Sequence, residues 1–186
     1  MILIKKCETC TESKFARQTF KSVLEISNEL LGLIHSDLCD FKSTPTCWGK
    51  NYYISFIDDC NKFCYVYLIH NKDEALNVFK QYKAEVENQL ARKIKVLRLH
   101  RGGEYNSSIF SDFCATHGII HQMTAPYTPQ QNGLAERKNR TFKDMINSML
   151  NSSELPHNLW GEAVLTANNI LNRVPHKKTN KSPYEM

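Results

Sequence analysis

The sequence predicts an α/β domain in which helices pack on the faces of a mixed β-sheet. Segments with strand character alternate along the chain with segments of helical periodicity. Two of the strand segments are close enough in sequence to pair as an antiparallel hairpin. The chain has 186 residues, of which 41% are apolar, and this is enough for one buried core.

Three strands are predicted in the first half of the chain. An apolar segment that begins at Leu30 indicates a first strand, which ends near Asp37. Residues 52–58 and 62–69 are rich in aromatic and β-branched side chains, and a turn-forming Asp-Cys-Asn segment lies between them. These two strands are expected to pair antiparallel.

A helix and a fourth strand come next. Residues 71–90 place apolar side chains at helical spacing, and Asn71 together with Glu74 can form a capping box at the start. Residues 93–99 alternate charged and apolar side chains, which is typical of a half-buried strand, and a Gly-Gly pair ends it.

The remaining elements are a short helix, a strand and two longer helices. The short helix covers 107–118 with Gly118 as its C-terminal cap, and residues 119–123 form the strand. A loop rich in proline and glycine then precedes the longer helices; its composition indicates mobility. These two helices are predicted over residues 134–151 and 158–173.

Two boundaries stay open. Residues 128–131, Thr-Pro-Gln-Gln, would start the first long helix earlier as a capping box, and Gly133 would then cost ~1 kcal/mol inside it. The first thirty residues show little periodicity and are expected to lie outside the main core.

Composition excludes several classes of protein. No apolar run approaches the roughly 20 residues of a membrane helix, and the start of the chain carries charge too early for a secretory signal. The seven cysteines are an odd number in apolar surroundings, which favours reduced thiols over a disulfide framework. An intracellular location is therefore expected.

Positive charge is concentrated in one part of the chain. Between Arg92 and Lys143 there are 9 Lys and Arg against 3 acidic residues, a balance of +6, whereas the whole chain carries +5. A polyanionic partner would explain this concentration, and so would an ordinary solvated charged face.

The predicted helix over 134–151 carries a polar stripe. Glu136, Arg140 and Lys143 fall at i, i+4 and i+7 and point together. An ordinary surface ion pair between Glu136 and Arg140, worth ~0.3–0.5 kcal/mol, is the alternative interpretation. The buried face of this helix lies on a different stripe and is predicted to consist of Ala135, Phe142, Met145, Ile146 and Met149.

Several segments carry a family resemblance, among them "IHSDLC", "FIDDCNKFCYVYLI", "RGGEY", "TAPYTPQQNGLAERKNRT" and "SPYE". From about residue 5 to its end, the chain resembles the integrase region of copia-type (Ty1/copia) retrotransposon Pol polyproteins. The resemblance implies a ribonuclease H-like fold with a mixed five-stranded sheet and flanking helices. It also implies DNA integration by metal-dependent 3′-processing and strand transfer.

The same resemblance implies a cofactor, partners and a location. The cofactor would be Mg²⁺ or Mn²⁺, and the partners would be DNA, as element ends and a target duplex, with no membrane. Family members act as oligomers, in the nucleus or in a cytoplasmic particle, and the sequence carries no targeting signal that we can identify.

The catalytic residues of the family map onto three positions. The family uses two aspartates and a glutamate, with thirty-five residues between the second and the third acid. Asp37 matches the first acid and Glu136 the third, so these two are the expected metal ligands. His100 stands where the second aspartate is expected, with thirty-five residues between it and Glu136.

A histidine at that position is expected to impair catalysis. Two-metal phosphoryl transfer needs carboxylates that hold two ions about 3.5–4 Å apart. Mg²⁺ prefers oxygen donors, whereas a neutral imidazole suits zinc and other transition metals. Leu99 in place of the family's serine also indicates drift. Rescue is not expected from Glu104, beyond the glycine turn, or from Asp58 and Asp59, which match family acids that bind no metal.

Side chains near Glu136 are candidates for DNA contacts. Basic groups reach phosphates, and amides bond to sugars or base edges. Tyr127 would either stack on an unpaired base or cover an edge of the core. The candidate DNA-binding residues are Gln130, Gln131, Asn132, Arg137, Lys138, Arg140 and Lys143.

Two regions are predicted. Residues 29–186 form the integrase catalytic core, and residues 1–28 are the C-terminal remnant of the family's His-His-Cys-Cys zinc domain, as in a fragment of a longer polyprotein. Cys7 and Cys10 have the spacing of half a zinc knuckle, but no histidine precedes His35, so no complete zinc site is expected. Two cysteines in a disordered tail are the alternative.

Three functions are compatible with the sequence. The first is a DNA-integration enzyme, competent only if His100 is tolerated in the site. The second is a catalytically impaired relic, a pseudoenzyme that keeps only nucleic acid binding. The third is a purely structural domain without a partner.

Overall fold

The structure is a computed structural model that describes residues 27–41, 44–99, 108–124, 132–176 and 179–186. Within these ranges it contains five strands and four α-helices in the predicted order. The strands are β1 (Leu33–Asp40), β2 (Tyr52–Asp58), β3 (Cys64–Ile69), β4 (Val96–Leu99) and β5 (Ile120–Met123). The helices are α1 (Ala75–Leu90), α2 (Ser108–Thr116), α3 (Gly133–Ser153) and α4 (Trp160–Arg173).

The five strands form one mixed sheet in the order β3-β2-β1-β4-β5. The strands β1, β2 and β3 pair antiparallel, whereas β4 pairs parallel to both β1 and β5. This confirms the predicted mixed five-stranded sheet and the predicted hairpin. The strand β1 lies at the centre with a hydrogen-bonded neighbour on each side, so its residues are held in register from both directions.

Helices cover both faces of the sheet, and each face has its own core. Successive side chains of a strand point to opposite faces. Phe56 therefore packs against α1 residues such as Phe79, whereas its neighbour Ile57 belongs with Phe142 of α3 and Trp160 of α4. The odd-numbered positions of β1 face α3 and α4, and this face carries the candidate site.

Three strands begin two or three residues later than predicted, each for a local reason. The first strand begins at Leu33 rather than Leu30 because Leu31 has a positive φ of 62° and its N–H donates to Asp58 at 2.8 Å. The third begins at Cys64 because Lys62 also has a φ of 62° and belongs to the turn. The fourth begins at Val96 because Ile94 donates its N–H to Glu87 of α1 at 3.1 Å.

Helix ends agree better with the sequence signals. The capping box is present, with Glu74 accepting the backbone N–H of Asn71 at 2.8 Å, although residues 72–74 form a 3₁₀ turn before α1. Gly118 has a φ of +68°, a conformation that favours glycine, just after α2. The helix α3 begins at Gly133, and the alternative start at residues 128–131 lies outside the described residues.

The sequence contains no apolar run long enough for a membrane helix, and the helices of the structure can be compared with this expectation. None of the helices in the described ranges combines the length and the apolar character that a membrane span requires.

Candidate active site

The central strand β1 places Asp37 beside the described end of β4. Asp37 is opposite Ser55 of β2, and the preceding residue, Ser36, pairs with Leu99 of β4. Leu99 is followed directly in the chain by His100, which lies outside the described residues together with Glu104. The sheet register therefore places Leu99 in the neighbourhood of Asp37. Leu99 is the residue just before the position predicted for the second catalytic acid.

Asp37 and Glu136 line the same cleft, which has a volume of about 560 Å³. Glu136 comes from the first turn of α3, and Arg140 and Lys143 follow it on the same stripe, as the helical spacing predicts. The structure thus brings together both acids and two of the predicted basic residues. The cleft is lined by Asp37, Leu38, Cys39, Asp40, Glu136, Asn139, Arg140 and Lys143.

The carboxylate of Asp37 is oriented by two hydrogen bonds. The side-chain amide of Asn139 donates to its Oδ2 at 2.8 Å, and the backbone N–H of Leu38 donates to its Oδ1 at 3.0 Å. An ionised carboxylate only accepts, so both contacts suit the charged form. These hydrogen bonds therefore fix the orientation of the Asp37 carboxylate.

The side chain of Asn139 is in turn held by a hydrogen bond from a buried tyrosine. The hydroxyl of Tyr53 donates to its Oδ1 at 3.1 Å, and Tyr53 is completely buried. Burial raises the pKa of Tyr53 well above its ordinary value, so its hydroxyl keeps the proton that it donates. Sequence reasoning missed both residues, although Asn139 follows Glu136 by three positions and so shares its side of the helix.

The four predicted basic residues of α3 differ in their surroundings. Arg140 and Lys143 are exposed and line the cleft. Arg137 is also exposed but is not part of the cleft lining. Lys138 is half-buried, its Nζ lies 5.6 Å from the centre of the Phe142 ring, and burial lowers its pKa.

The predicted DNA-contacting amides are only partly described. Asn132 is completely buried: its Oδ1 faces Nδ1 of His35 at 3.1 Å, and its Nδ2 donates to the Ser36 carbonyl at 3.1 Å. A nucleic acid contact through Asn132 would require both of these hydrogen bonds to break. Tyr127, Gln130 and Gln131 lie outside the described residues.

The described residues of the site supply hard oxygen donors for a metal ion. Asp37 and Glu136 offer carboxylates of the kind that Mg²⁺ and Mn²⁺ prefer. Within the described ranges, no three His, Cys, Asp or Glu side chains lie close enough to hold an ion together. The described donors therefore do not fit a paired-metal site by themselves.

Asp58 and Asp59, which are not expected to be ligands, have structural partners instead. Asp58 accepts the N–H groups of Leu31 at 2.8 Å and of Cys60 at 2.7 Å. Asp59 pairs with Lys62 at 2.6 Å and accepts the N–H of Ser27 at 2.9 Å. Neither aspartate lines the cleft. The predicted zinc remnant, Cys7 and Cys10, lies outside the described residues.

Comparison with known sequences identifies relatives. A sequence model described as the integrase core domain matches residues 28–129, and a second with the same description matches residues 117–158. The Pol polyprotein of the tobacco (Nicotiana tabacum) transposon TNT 1-94 is 41% identical over 92% of the chain. That of the Arabidopsis thaliana transposon RE2 is 30% identical over 91%, and the Gag-Pol polyprotein of the yeast (Saccharomyces cerevisiae) transposon Ty1-DR4 is 34% identical over 84%.

The matched region is a small part of each relative. The chain spans 13% of the tobacco polyprotein, 11% of the Arabidopsis one and 10% of the yeast one. These relatives confirm the predicted resemblance to retrotransposon Pol polyproteins, in the segment that carries the cleft.

Solved structures show the same fold at low sequence identity. A chain of the simian T-cell lymphotropic virus intasome, in complex with a PP2A regulatory subunit, superposes with a TM-score of 0.71 at 18% identity, covering 96% of this chain and 62% of that one. The HTLV-2 integrase catalytic core in complex with magnesium gives 0.58 at 18% identity, covering 82% and 93%. The predicted ribonuclease H-like fold is thus confirmed, and with the matching sequence models it establishes that this chain belongs to the integrase core domain family.

Proposed function

We propose that this chain is the catalytic core of a retrotransposon integrase, whose ancestral reaction is 3′-processing and strand transfer of DNA, and that this copy is impaired. The observation that carries the proposal is the shared cleft of Asp37 and Glu136, flanked by Arg140 and Lys143, in a member of the integrase core domain family. Acids and bases on one cleft suit metal-assisted chemistry on a polyanion.

The impairment follows from the donor set. The HTLV-2 catalytic core that shares this fold is described in complex with magnesium, which supports Mg²⁺ or Mn²⁺ as the ancestral cofactor. In our proposal Asp37 and Glu136 would hold one ion loosely. His100 would supply one nitrogen and no negative charge where a carboxylate is required, so a second ion would not be retained.

A metal titration tests the impairment. We expect the purified chain to show no Mg²⁺- or Mn²⁺-dependent strand transfer, and His100→Asp to bind Mn²⁺ more tightly in calorimetry because it restores a negatively charged oxygen donor. His100→Asn is the matched control, since it has nearly the size of aspartate without the charge, and it should not tighten binding. Efficient strand transfer by the unaltered chain would refute the impairment.

DNA is the partner that the cleft suits best. Arg140 and Lys143 are exposed and in position to reach phosphates. The contacts of Gln130, Gln131, Arg137 and Lys138 remain predictions. The second candidate function is DNA binding without catalysis, as in an impaired relic. The exposed side chains of Arg140 and Lys143 support it, because phosphate contacts do not require the two acids to bind a metal ion.

Salt dependence separates DNA binding from a purely structural role. We expect binding to short duplexes to weaken steeply with salt, and Lys143→Gln to reduce the slope of log K against log salt by about 1. Lys181→Gln removes an exposed lysine outside the cleft lining and serves as the control. Salt-independent binding, or equal effects of the two variants, would contradict the assignment of the cleft as the DNA surface.

The proposal extends to the domains of the chain, its assembly and its location. Residues 29–186 are the core, and residues 1–28 belong to the preceding zinc domain, of which Cys7 and Cys10 are ligand remnants without a complete site. The solved relatives are described as an intasome and as a trimeric form, which supports assembly with further copies. The site of action is inside the cell, in the nucleus or a cytoplasmic particle.

A further inference from the structure

A buried chain of polar contacts links the turn after β2 to the start of α3. Asp59 lies in that turn, and its Oδ1 is 3.4 Å from Nε2 of His35 on β1. The other ring nitrogen, Nδ1, is 3.1 Å from Oδ1 of Asn132. Asn132 in turn donates to the carbonyl of Ser36. His35 is 3% exposed and Asn132 is 0% exposed, so solvent does not substitute for these partners.

The direction of the hydrogen bonds is determined by Ser36. A carbonyl only accepts, so the atom of Asn132 that faces it must be the amide nitrogen, and the amide oxygen then faces the histidine. His35 therefore donates from Nδ1. A buried polar group is costly unless it is hydrogen-bonded. In this arrangement both the oxygen and the nitrogen of the Asn132 side chain have a partner.

Asn132 occupies the N-cap position of α3 but does not cap it. An asparagine at an N-cap commonly accepts an N–H from the first turn of its own helix. Here its side chain makes no hydrogen bond to that turn and reaches across to β1 instead. The residues that it contacts, His35 and Ser36, immediately precede Asp37.

The helix α3 is consequently attached to β1 on both sides of Glu136. Asn132 contacts β1 before Glu136, and Asn139 binds Asp37 after it. We propose that His35 and Asn132 are positioning residues, which fix the first turn of α3 and thereby set Glu136 relative to Asp37. This inference rests on the proposed function of the two acids, and it assigns Asn132 a role other than a direct DNA contact.

Two substitutions of His35 separate positioning from simple filling of the core. In His35→Asn the amide nitrogen takes the place of Nδ1 and can still donate to Asn132. In His35→Gln the longer amide takes the place of Nε2 and can reach only Asp59. Both replacements are neutral, polar and able to hydrogen-bond, so they form a matched pair.

The test compares both variants, in the unaltered chain and in the His100→Asp chain, by amide hydrogen exchange and Mn²⁺ binding. We expect exchange of segment 134–142 to accelerate in His35→Gln and to stay near the parent in His35→Asn. Mn²⁺ affinity should fall about tenfold in His35→Gln only, because Glu136 is then less well placed relative to Asp37, an effect of the size found for residues that orient metal ligands. Melting temperatures of both variants show whether a general loss of stability is responsible.

Each outcome decides the proposal. If both variants accelerate exchange equally, or neither does, His35 is a structural residue and the proposal is overturned. If the His100→Asp chain binds no Mn²⁺, the proposed function fails, but the exchange comparison still tests the link to α3. Should His35→Gln not fold, Asn132→Leu replaces it, with Asn147→Leu at an exposed position of the same helix as the control. Unchanged exchange in Asn132→Leu would then overturn the proposal.

Discussion

The carboxylate of Asp37 accepts one hydrogen bond from its own strand and one from Asn139, which is in turn held by the buried hydroxyl of Tyr53. The three side chains come from β1, α3 and β2, so the orientation of one acid depends on residues far apart in sequence. An acid oriented in this way loses little freedom when it binds a cation, because the protein has already restricted it.

Tyr53→Phe tests this contact at the scale of one atom. Removal of the hydroxyl leaves Oδ1 of Asn139 without its donor at a buried position, and we expect the free energy of unfolding to fall by about 1 kcal/mol. Chemical denaturation measures the change. Tyr65→Phe is the control, because its hydroxyl donates to Gln89 at an exposed position and should matter less. Equal losses in the two variants would contradict a special role for Tyr53.

At the scale of elements, hydrophobic periodicity predicted the order and type of every strand and helix from β1 to α4. The strand β2 has the bounds that its composition indicates, because its alternating side chains serve two separate cores. The predicted starts of β1 and β4 were each wrong by three residues. In both cases a distant carboxylate, Asp58 or Glu87, binds the backbone of the preceding residues, and no local pattern reveals such a contact.

The candidate site was predictable to a similar extent. Glu136, Arg140 and Lys143 share a stripe by helical spacing, so their convergence on one cleft followed from the sequence. Asn139 was missed although helical spacing places it on the same side as Glu136, whereas the role of Tyr53 was not predictable, because its contact with Asn139 spans 86 residues. Asn132 has a residue type suited to DNA contact, and only the fold shows that its side chain turns inward toward β1.

At the scale of the whole molecule, stability depends on buried carboxylates as well as on the two apolar cores. Glu87 joins the end of α1 to the segment before β4, with Lys83 at 2.9 Å and Lys93 at 2.8 Å from its Oε2. Burial opposes its ionisation, but the hydrogen bonds from Lys93 and Lys83 outweigh burial and lower its pKa below the ordinary 4.5. Asp58 acts in the opposite sense, because burial raises its pKa.

The lowered pKa of Glu87 predicts an acid-sensitive contribution to stability. A carboxylate whose pKa is lower in the folded state binds fewer protons there than in the unfolded chain, so folding is favoured above the ordinary value. This contribution is complete above about pH 5 and is lost as the pH falls through 4.5 toward the lowered folded value. We therefore expect Glu87→Gln to destabilise the protein at pH 6 to 7 and to make unfolding less dependent on pH between about 3 and 5.

Denaturant unfolding of both proteins across this range measures the difference, in which the opposite contribution of Asp58 cancels because both proteins retain it. Asp144→Asn removes an exposed carboxylate from α3 and is the control. The same pH profile in Glu87→Gln and in the unaltered chain would show that the two lysines do not stabilise the ionised form. Because the partners of Glu87 in the described part of the chain all lie near α1 and β4, its loss should weaken folding without altering the orientation of Asp37.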